Sequence, residues 1–259
     1  MSRWNVCEQL ATAVRTEALI AESASGKGPS PALWSGCPWM ALEHGAKEGF
    51  VYFNDFMDVH DPTTACGWNI DTTGSGTLTA SATVQGGAIV INTVGTTLDD
   101  HINAQLKNCM VKPAAGVKIW FEMRVAPTDA TQQFYFGLAG VCTDIIASDV
   151  EDTVDKCGFF HEDGSTDNKI SAISANGTSD ERDLDVGTTK DNTYIKLGFM
   201  IDGVSRVTFY VNGVAVATCT DADDIPDSVM CWTLFTGCES AAGVATIDWI
   251  KLAQEGGRA

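Results

Sequence analysis

An all-β fold, a sandwich or barrel of short strands, follows from three features of this 259-residue chain. The first is the stretch Thr193 to Thr220. Ile195, Leu197, Phe199 and Ile201 alternate there with Lys196, Gly198 and Met200, and Val207, Phe209 and Val211 alternate with Arg206, Thr208 and Tyr210. Period-2 alternation places the two sets on opposite faces of a strand. Asp202-Gly203 and Asn212-Gly213 tolerate positive φ and mark tight turns, so the stretch reads as a three-stranded antiparallel meander. The second feature is repetition: roughly fourteen strand-like runs are spaced by turn signals, as in a sandwich or barrel. The third is that helical periodicity is confined to one short segment, residues 4 to 24. No internal repeat points to a propeller.

In chain order, Val6, Leu10, Val14 and Ala18 recur at helical spacing, Ala21 extends the stripe, and Ser25-Gly26 ends it. This predicts an N-terminal helix, either covering one end of the sandwich or docking on a neighbouring subunit. Residues 25 to 49 are broken by Gly26, Gly28, Pro29, Pro31, Gly36, Pro38, Gly45 and Gly49, so neither helix nor sheet should persist. Leu33, Trp34, Trp39, Met40 and Leu42 are nonetheless too apolar for a free linker. An extended arm lying on a protein surface, its own or another chain's, satisfies both facts. The organisation expected is thus an N-terminal helix and extended arm over residues 1–49, then a β-sandwich over 50–259. Trp4, Leu33, Trp34, Trp39 and Met40 are the arm's expected partner-binding residues.

From Phe50 the strands follow one another. Phe50 to Met57 opens the domain. Thr77–Ala80 and Ala88–Ile91 flank Gly86-Gly87 as a hairpin, and Asp99–Leu106 alternates weakly. Val117–Val125 sets Ile119, Phe121, Met123 and Val125 on one face. Gln133–Gly140 comes after a turn at Pro127-Thr128-Asp129. Gly158–His161 and Lys169–Ile173 pair across an acidic turn. The meander, Val229–Phe235 and Ala245–Leu252 complete the set.

Composition removes several function classes. Aspartate and glutamate outnumber lysine and arginine 34 to 16, a net charge of −18 that repels phosphate backbones and disfavours nucleic acid. No apolar run approaches the roughly 18 residues of a membrane span. Met1-Ser2-Arg3 leads into mixed polar sequence with no secretory signal. The nine cysteines are scattered and include no C-x-x-C pair, so reduced thiols are expected rather than a disulfide frame or a zinc site.

Candidate chemistry is sparse. Glu181-Arg182-Asp183-Leu184-Asp185 is the one run of alternating carboxylates, the pattern a glycoside hydrolase uses to aim a nucleophile and an acid into a cleft. Here the third acid is an aspartate, and Leu184 and Val186 leave the acids the face of an ordinary solvated strand. Glu162–Asn168 and Asp221–Asp227 offer oxygen ligands but do not match an EF-hand loop. His44, His60, His101 and His161 lack metal-ligand spacing, and no serine sits in a nucleophile elbow. Asn176-Gly177-Thr178 matches a glycosylation acceptor, a match with no weight without a secretory signal. Trp34, Trp39, Trp68 and Trp120 fit core or interface anchors better than a sugar platform. No catalytic residue, metal ligand or cofactor is expected.

The blocks GVKIWFEMRV, QQFYFGLAG, GFFHEDGS, YIKLGFMIDGVSRVTFYVNGVAVA and ATIDWIKLA, in this order, resemble concanavalin-A-like jelly rolls of the laminin-G, lectin and glucanase type. The FYVNGV hairpin and the closing IDWIKL strand carry the likeness. The same blocks, with ALEHGAKEGFVYFNDFMD and GGAIVINT upstream, resemble jelly-roll virion proteins of tailed bacteriophages over about residues 40 to 252. The resemblance implies a two-sheet antiparallel sandwich; it does not identify a ligand. It also implies a non-enzymatic virion structural protein, first of all a capsid decoration (cement) protein outside the shell. Its partners would be the major capsid protein and further copies of itself, a trimer by analogy with the three-fold positions of capsid lattices. A carbohydrate-binding tail-fibre or baseplate module is the alternative, and a glycan hydrolase using Glu181, Asp183 and Asp185 the third.

Overall fold

The computed structural model describes residues 26–57, 67–84, 86–94, 100–129, 132–145, 154–161, 168–177, 179–238 and 242–256. The helix expected over residues 4 to 24, Trp4 within it, His60 and residues 162–167 of the first acidic turn lie outside these.

Two antiparallel sheets form the molecule. The first, sheet A, runs in the spatial order β13 (Val214–Cys219), β12 (Arg206–Val211), β11 (Ile195–Asp202), β6 (Lys118–Pro127), β15 (Val244–Glu255), β4 (Ile89–Thr93), β3 (Gly76–Ala80), with β1 (Gly49–Asn54) paired to the end of β15. The second, sheet B, runs β10 (Ser179–Thr188), β9 (Lys169–Asn176), β8 (Lys156–His161), β7 (Phe134–Ala139), β14 (Met230–Gly237), β5 (His101–Val111), β2 (Trp68–Thr73). The all-β two-sheet sandwich is therefore as expected. So are the β11–β12–β13 meander, the β3–β4 hairpin and the β8–β9 pair. Asn212 and Gly213 close the second meander turn at φ 50° and 78°, the left-handed region their side chains tolerate.

Alternation in the sequence becomes two faces in space. Ile119, Phe121, Met123 and Val125 of β6 all point into the space between the sheets, with Leu197, Phe199 and Ile201 of β11 beside them. An aromatic ladder crosses the interior. Phe121 stacks on Phe199 at 4.8 Å between ring centroids, Phe199 meets Phe209 at 6.1 Å, and Phe209 meets Phe159 of sheet B edge-on at 5.6 Å. At the other end Trp68 and Trp232 meet at 4.7 Å. Each such ring contact adds about 0.5–1.5 kcal/mol to the burial itself.

The segment before β1 departs from the expectation of an extended arm. Two short helices stand there, α1 (Pro31–Trp34) and α2 (Trp39–Glu43). Pro31 occupies the first turn of α1, where its missing N–H is not needed and its fixed φ suits a helix. The glycines and prolines do interrupt the chain: Gly26, Gly28 and Pro29 precede α1, Gly36 and Pro38 separate the helices, and Gly45 and Gly49 follow α2.

Candidate functional site: a clasped sheet face

The outward residues of β6 are Trp120, Glu122 and Arg124. Across the sheet they face Met200, Gly198 and Lys196 of β11 on one side and Ala253, Lys251 and Trp249 of β15 on the other. This is the outer face of sheet A, and residues 27–42 lie across it. Leu33, Trp34, Cys37 and Leu42 pack with Trp120 and Ala253 into a small core of their own, separate from the cluster between the sheets.

Polar groups of the sheet hold this segment at successive points. Trp249 Nε1 donates to the Lys27 carbonyl at 2.7 Å, and Lys196 Nζ donates to the Gly28 carbonyl at 3.1 Å. Glu122 Oε2 accepts both the Ser30 backbone N–H at 2.8 Å and the Trp34 indole N–H at 2.7 Å. The Lys251 ammonium stands 4.4 Å above the Trp34 ring and 5.4 Å from that of Trp39. Beside them Arg124 pairs with Asp248 and lies 3.8 Å over the Tyr194 ring. Gly198 makes the close approach possible. A Cβ there would stand 2.7 Å from Leu33 Cδ2 and 2.8 Å from the Phe121 carbonyl oxygen.

Glu122 is the centre of the site. It is 1 % exposed, and burial raises its pKa above the ordinary glutamate range, against the lowering effect of the Ser30 and Trp34 hydrogen bonds and the Lys196 charge. A buried carboxylate without such donors would be strongly destabilising.

The expected arm residues separate on this geometry. Leu33 and Trp34 are covered by the chain's own sheet, one of the two surfaces the sequence left open, because Gly198 leaves a slot for the leucine and Glu122 an acceptor for the indole. Trp39 is half-buried against Lys251, and Met40 remains 40 % exposed. Within the single chain the burial is thus complete for Leu33 and Trp34 and partial for Trp39 and Met40.

Sequence reasoning missed Glu122, Gly198, Trp249 and Lys251. One signal was legible: a glutamate two residues from a tryptophan on the same face of the strand KIWFEMRV calls for a covering group. Nothing in the sequence paired it with Ser30 and Trp34, 92 and 88 residues away.

The carboxylate run is not a plain solvated face. Glu181 and Asp183 pair in register with Ser174 and Ala172, and Ala172 belongs to the main core, so both acids turn toward the opposing sheet at the sandwich margin. There Glu181 bonds the Cys219 thiol, whose pKa is pushed up to about 12, first by burial and then by that glutamate. A register shift between Asp183 and Gly187 breaks the alternation. Asp185 adopts φ 61°, and its Oδ2 lies 2.7 Å from Lys169 Nζ.

The second acidic turn uses its oxygens locally. Asp221 Oδ1 accepts the Asp223 N–H at 3.1 Å, and Asp224 accepts the Ser179 hydroxyl. The Asp227 and Ser228 N–H groups both donate to Asp155 Oδ2 at 2.7 Å. Among the described residues no three His, Cys, Asp or Glu side chains converge to hold a metal ion.

The outer face of sheet B is also covered in part by the chain. Gln105 Nε2 donates to the Gly140 carbonyl at 2.9 Å, Gln105 Oε1 accepts the Cys142 N–H at 3.0 Å, and Asn103 Nδ2 donates to the Cys142 carbonyl at 3.0 Å. These bonds fix residues 140–145 over the strands. Beneath and beside them Tyr135, Phe235, Phe160 and Ile145 are at most 1 % exposed. Trp34, Trp68 and Trp120 are buried as well, so they offer no open stacking platform.

No protein-family model and no curated protein matches the sequence. Solved structures do resemble the fold. A β-glucanase of Bacillus licheniformis is 10 % identical with a TM-score of 0.54, covering 80 % of this chain and 99 % of its own. The protein of unknown function SO2946 from Shewanella oneidensis MR-1 is 15 % identical, TM-score 0.53, over 80 % of this chain and 87 % of its own. The carbohydrate recognition domain of Emp47p is 10 % identical, TM-score 0.53, over 80 % and 95 %. At such identities the likeness is one of architecture: this chain has a concanavalin-A-like jelly-roll fold.

Proposed function

We propose that this protein is a non-enzymatic structural protein of a tailed-phage virion, a capsid decoration protein bound outside the shell. The observation that supports the non-enzymatic part is that the chain's own segments cover the central strands on both outer sheet faces, with the carboxylate run split by a register shift and turned to the sandwich margin. The virion part rests on the resemblance of the ordered blocks from ALEHGAKEGF to ATIDWIKLA to phage jelly-roll proteins. The net charge of −18 accords with a role away from packaged nucleic acid. In this reading the protein is made in the host cytoplasm, binds the major capsid protein, and gathers in several copies, a trimer being the arrangement suggested by lattice three-folds.

Quantitative mass spectrometry and cryo-electron microscopy of purified particles test this. Copies in the hundreds on the outer shell are expected. A copy number near a dozen, at a tail or portal vertex, overturns the decoration role, and absence from particles overturns the virion role.

The resemblance in fold to lectin domains favours a second reading, a glycan-binding module contacting the host. Binding of bacterial surface glycans by the isolated protein, lost on particles lacking it, would support that reading in place of the first.

A further inference from the structure

The outer face of sheet A is built as a recognition site for a short peptide, and its occupant is visible. A single carboxylate oxygen, Glu122 Oε2, reads a backbone N–H and an indole N–H four residues apart. The slot over Gly198 takes the Leu33 side chain, and the Lys251 ammonium caps the ring of Trp34. Lys196 and Trp249 each hold a backbone carbonyl of the approaching chain. The motif recognised is Ser30-Pro31-Ala32-Leu33-Trp34, flanked by Lys27 and Trp39.

Two features make this contact separable from the fold. Its apolar cluster shares no residue with the core between the sheets. It joins the sandwich through residues 44–48, a non-regular connection with Gly45 at φ 68°. A segment with its own small core and few ties opens at lower free energy than the whole domain.

We infer that residues 27–43 and the sheet face beneath them form an exchangeable pair, so that the segment of one copy of this chain can fill the Glu122 face of another. The occupant in trans has the chemistry of the occupant in cis, since the same donors, leucine and indole are presented. In isolation the tether favours the cis contact, because a short connection gives an effective concentration on the order of millimolar. Copies held side by side on a surface reach similar local concentrations, and exchange then links neighbours without any new contact. This use of the site rests on the decoration reading; the exchange itself does not.

The test uses the full-length protein. Cys37 belongs to the segment and is fully buried where it packs on the sheet, while Cys157 lies fully buried in the main core. Under native conditions a maleimide should label Cys37 at least about tenfold faster than Cys157, because Cys157 is reached only through global unfolding. Trp34→Ala should speed Cys37 labelling further and leave Cys157 unchanged. A fluorescent peptide of residues 26–44 should then bind the Trp34→Ala chain, and a Glu122→Ala/Trp34→Ala chain should bind it at least about tenfold more weakly, the loss expected for one charge-assisted pair of hydrogen bonds. Equal labelling of Cys37 and Cys157 overturns independent opening. Fast Cys37 labelling with no peptide binding, or binding indifferent to Glu122, overturns exchange. Because the assay contains no particles, its failure leaves the virion reading standing, and absence of the protein from particles leaves exchange standing.

Discussion

Glu122 and Trp34 meet across 88 residues of sequence, the indole Nε1 donating to the carboxylate Oε2 at 2.7 Å on a face that solvent does not reach. The same oxygen takes the Ser30 amide. One side chain thus decides whether the segment ahead of the sandwich is folded onto it.

Removing that acceptor leaves two buried donors unpaired. Glu122→Ala is expected to destabilise the segment by about 2–3 kcal/mol, within the range for hydrogen bonds to a charged group. Loss of Cys37 protection from thiol reagents should report it. Glu122→Gln keeps an acceptor oxygen and should cost less, about 1 kcal/mol or below. Equal effects of the two substitutions would show that a neutral acceptor of the same size cannot replace the carboxylate, so that its charge is what holds the segment.

The pH dependence has a defined sign. Glu122 has its folded-state pKa raised by burial, so the folded segment holds the proton more tightly than the unfolded chain does. Its contribution is fully present below the ordinary glutamate range and is lost as pH rises through the raised value. Cys37 labelling should therefore quicken from about pH 4.5 upward in the wild type, relative to Glu122→Gln, in which the group cannot titrate. An opposite trend in that difference would mean that the Ser30 and Trp34 donors outweigh desolvation.

Gly198→Ala introduces a methyl group 2.8 Å from a backbone oxygen that cannot rotate away and 2.7 Å from Leu33 Cδ2. Overpacking of this kind costs about 1–3 kcal/mol. Urea denaturation should show the loss. If stability is unchanged while Cys37 becomes reactive, the strain has been relieved by lifting Leu33 off the sheet.

The acidic strand provides a test of the non-enzymatic reading. Replacing Glu181, Asp183 and Asp185 by Gln, Asn and Asn should leave the fold intact at about 0.5 kcal/mol or less per site where the group is solvated. Lys169 loses its ion pair with Asp185, an exposed contact of small worth. Reducing-end assays on β-glucans and bacterial polysaccharides should show no activity in either protein. Hydrolysis by the wild type that the triple variant lacks would establish an enzyme.

Thiol counting gives a fifth check. Cys157 and Cys219 both have pKa values raised by burial, Cys219 to about 12, so each stays a protonated, unreactive thiol at neutral pH. The native protein should react slowly at these positions. Unfolded protein prepared without reductant should yield most of its nine cysteines as thiols. Recovery of four intramolecular disulfides would overturn synthesis in a reducing compartment.

Sequence alone determined the strands, their inward faces and the local hairpins; their order in two sheets came from the tertiary structure. Strand alternation is a local property: Ile119, Phe121, Met123 and Val125 must share a face whatever they pack against, and Asn212-Gly213 turns wherever it stands. The meander, the hairpins and the inward faces were legible for that reason. Only the tertiary structure decided the outward faces. Trp34 needs an acceptor and Glu122 needs donors, but neither need names its partner when the two are separated by most of a domain. The register shift between Asp183 and Gly187 likewise became visible only in the pairing with β9. Short-range periodicity fixes which way a side chain points along a strand. What it meets there depends on distant segments brought together by the closed sandwich, and that is where the clasped face of sheet A was made.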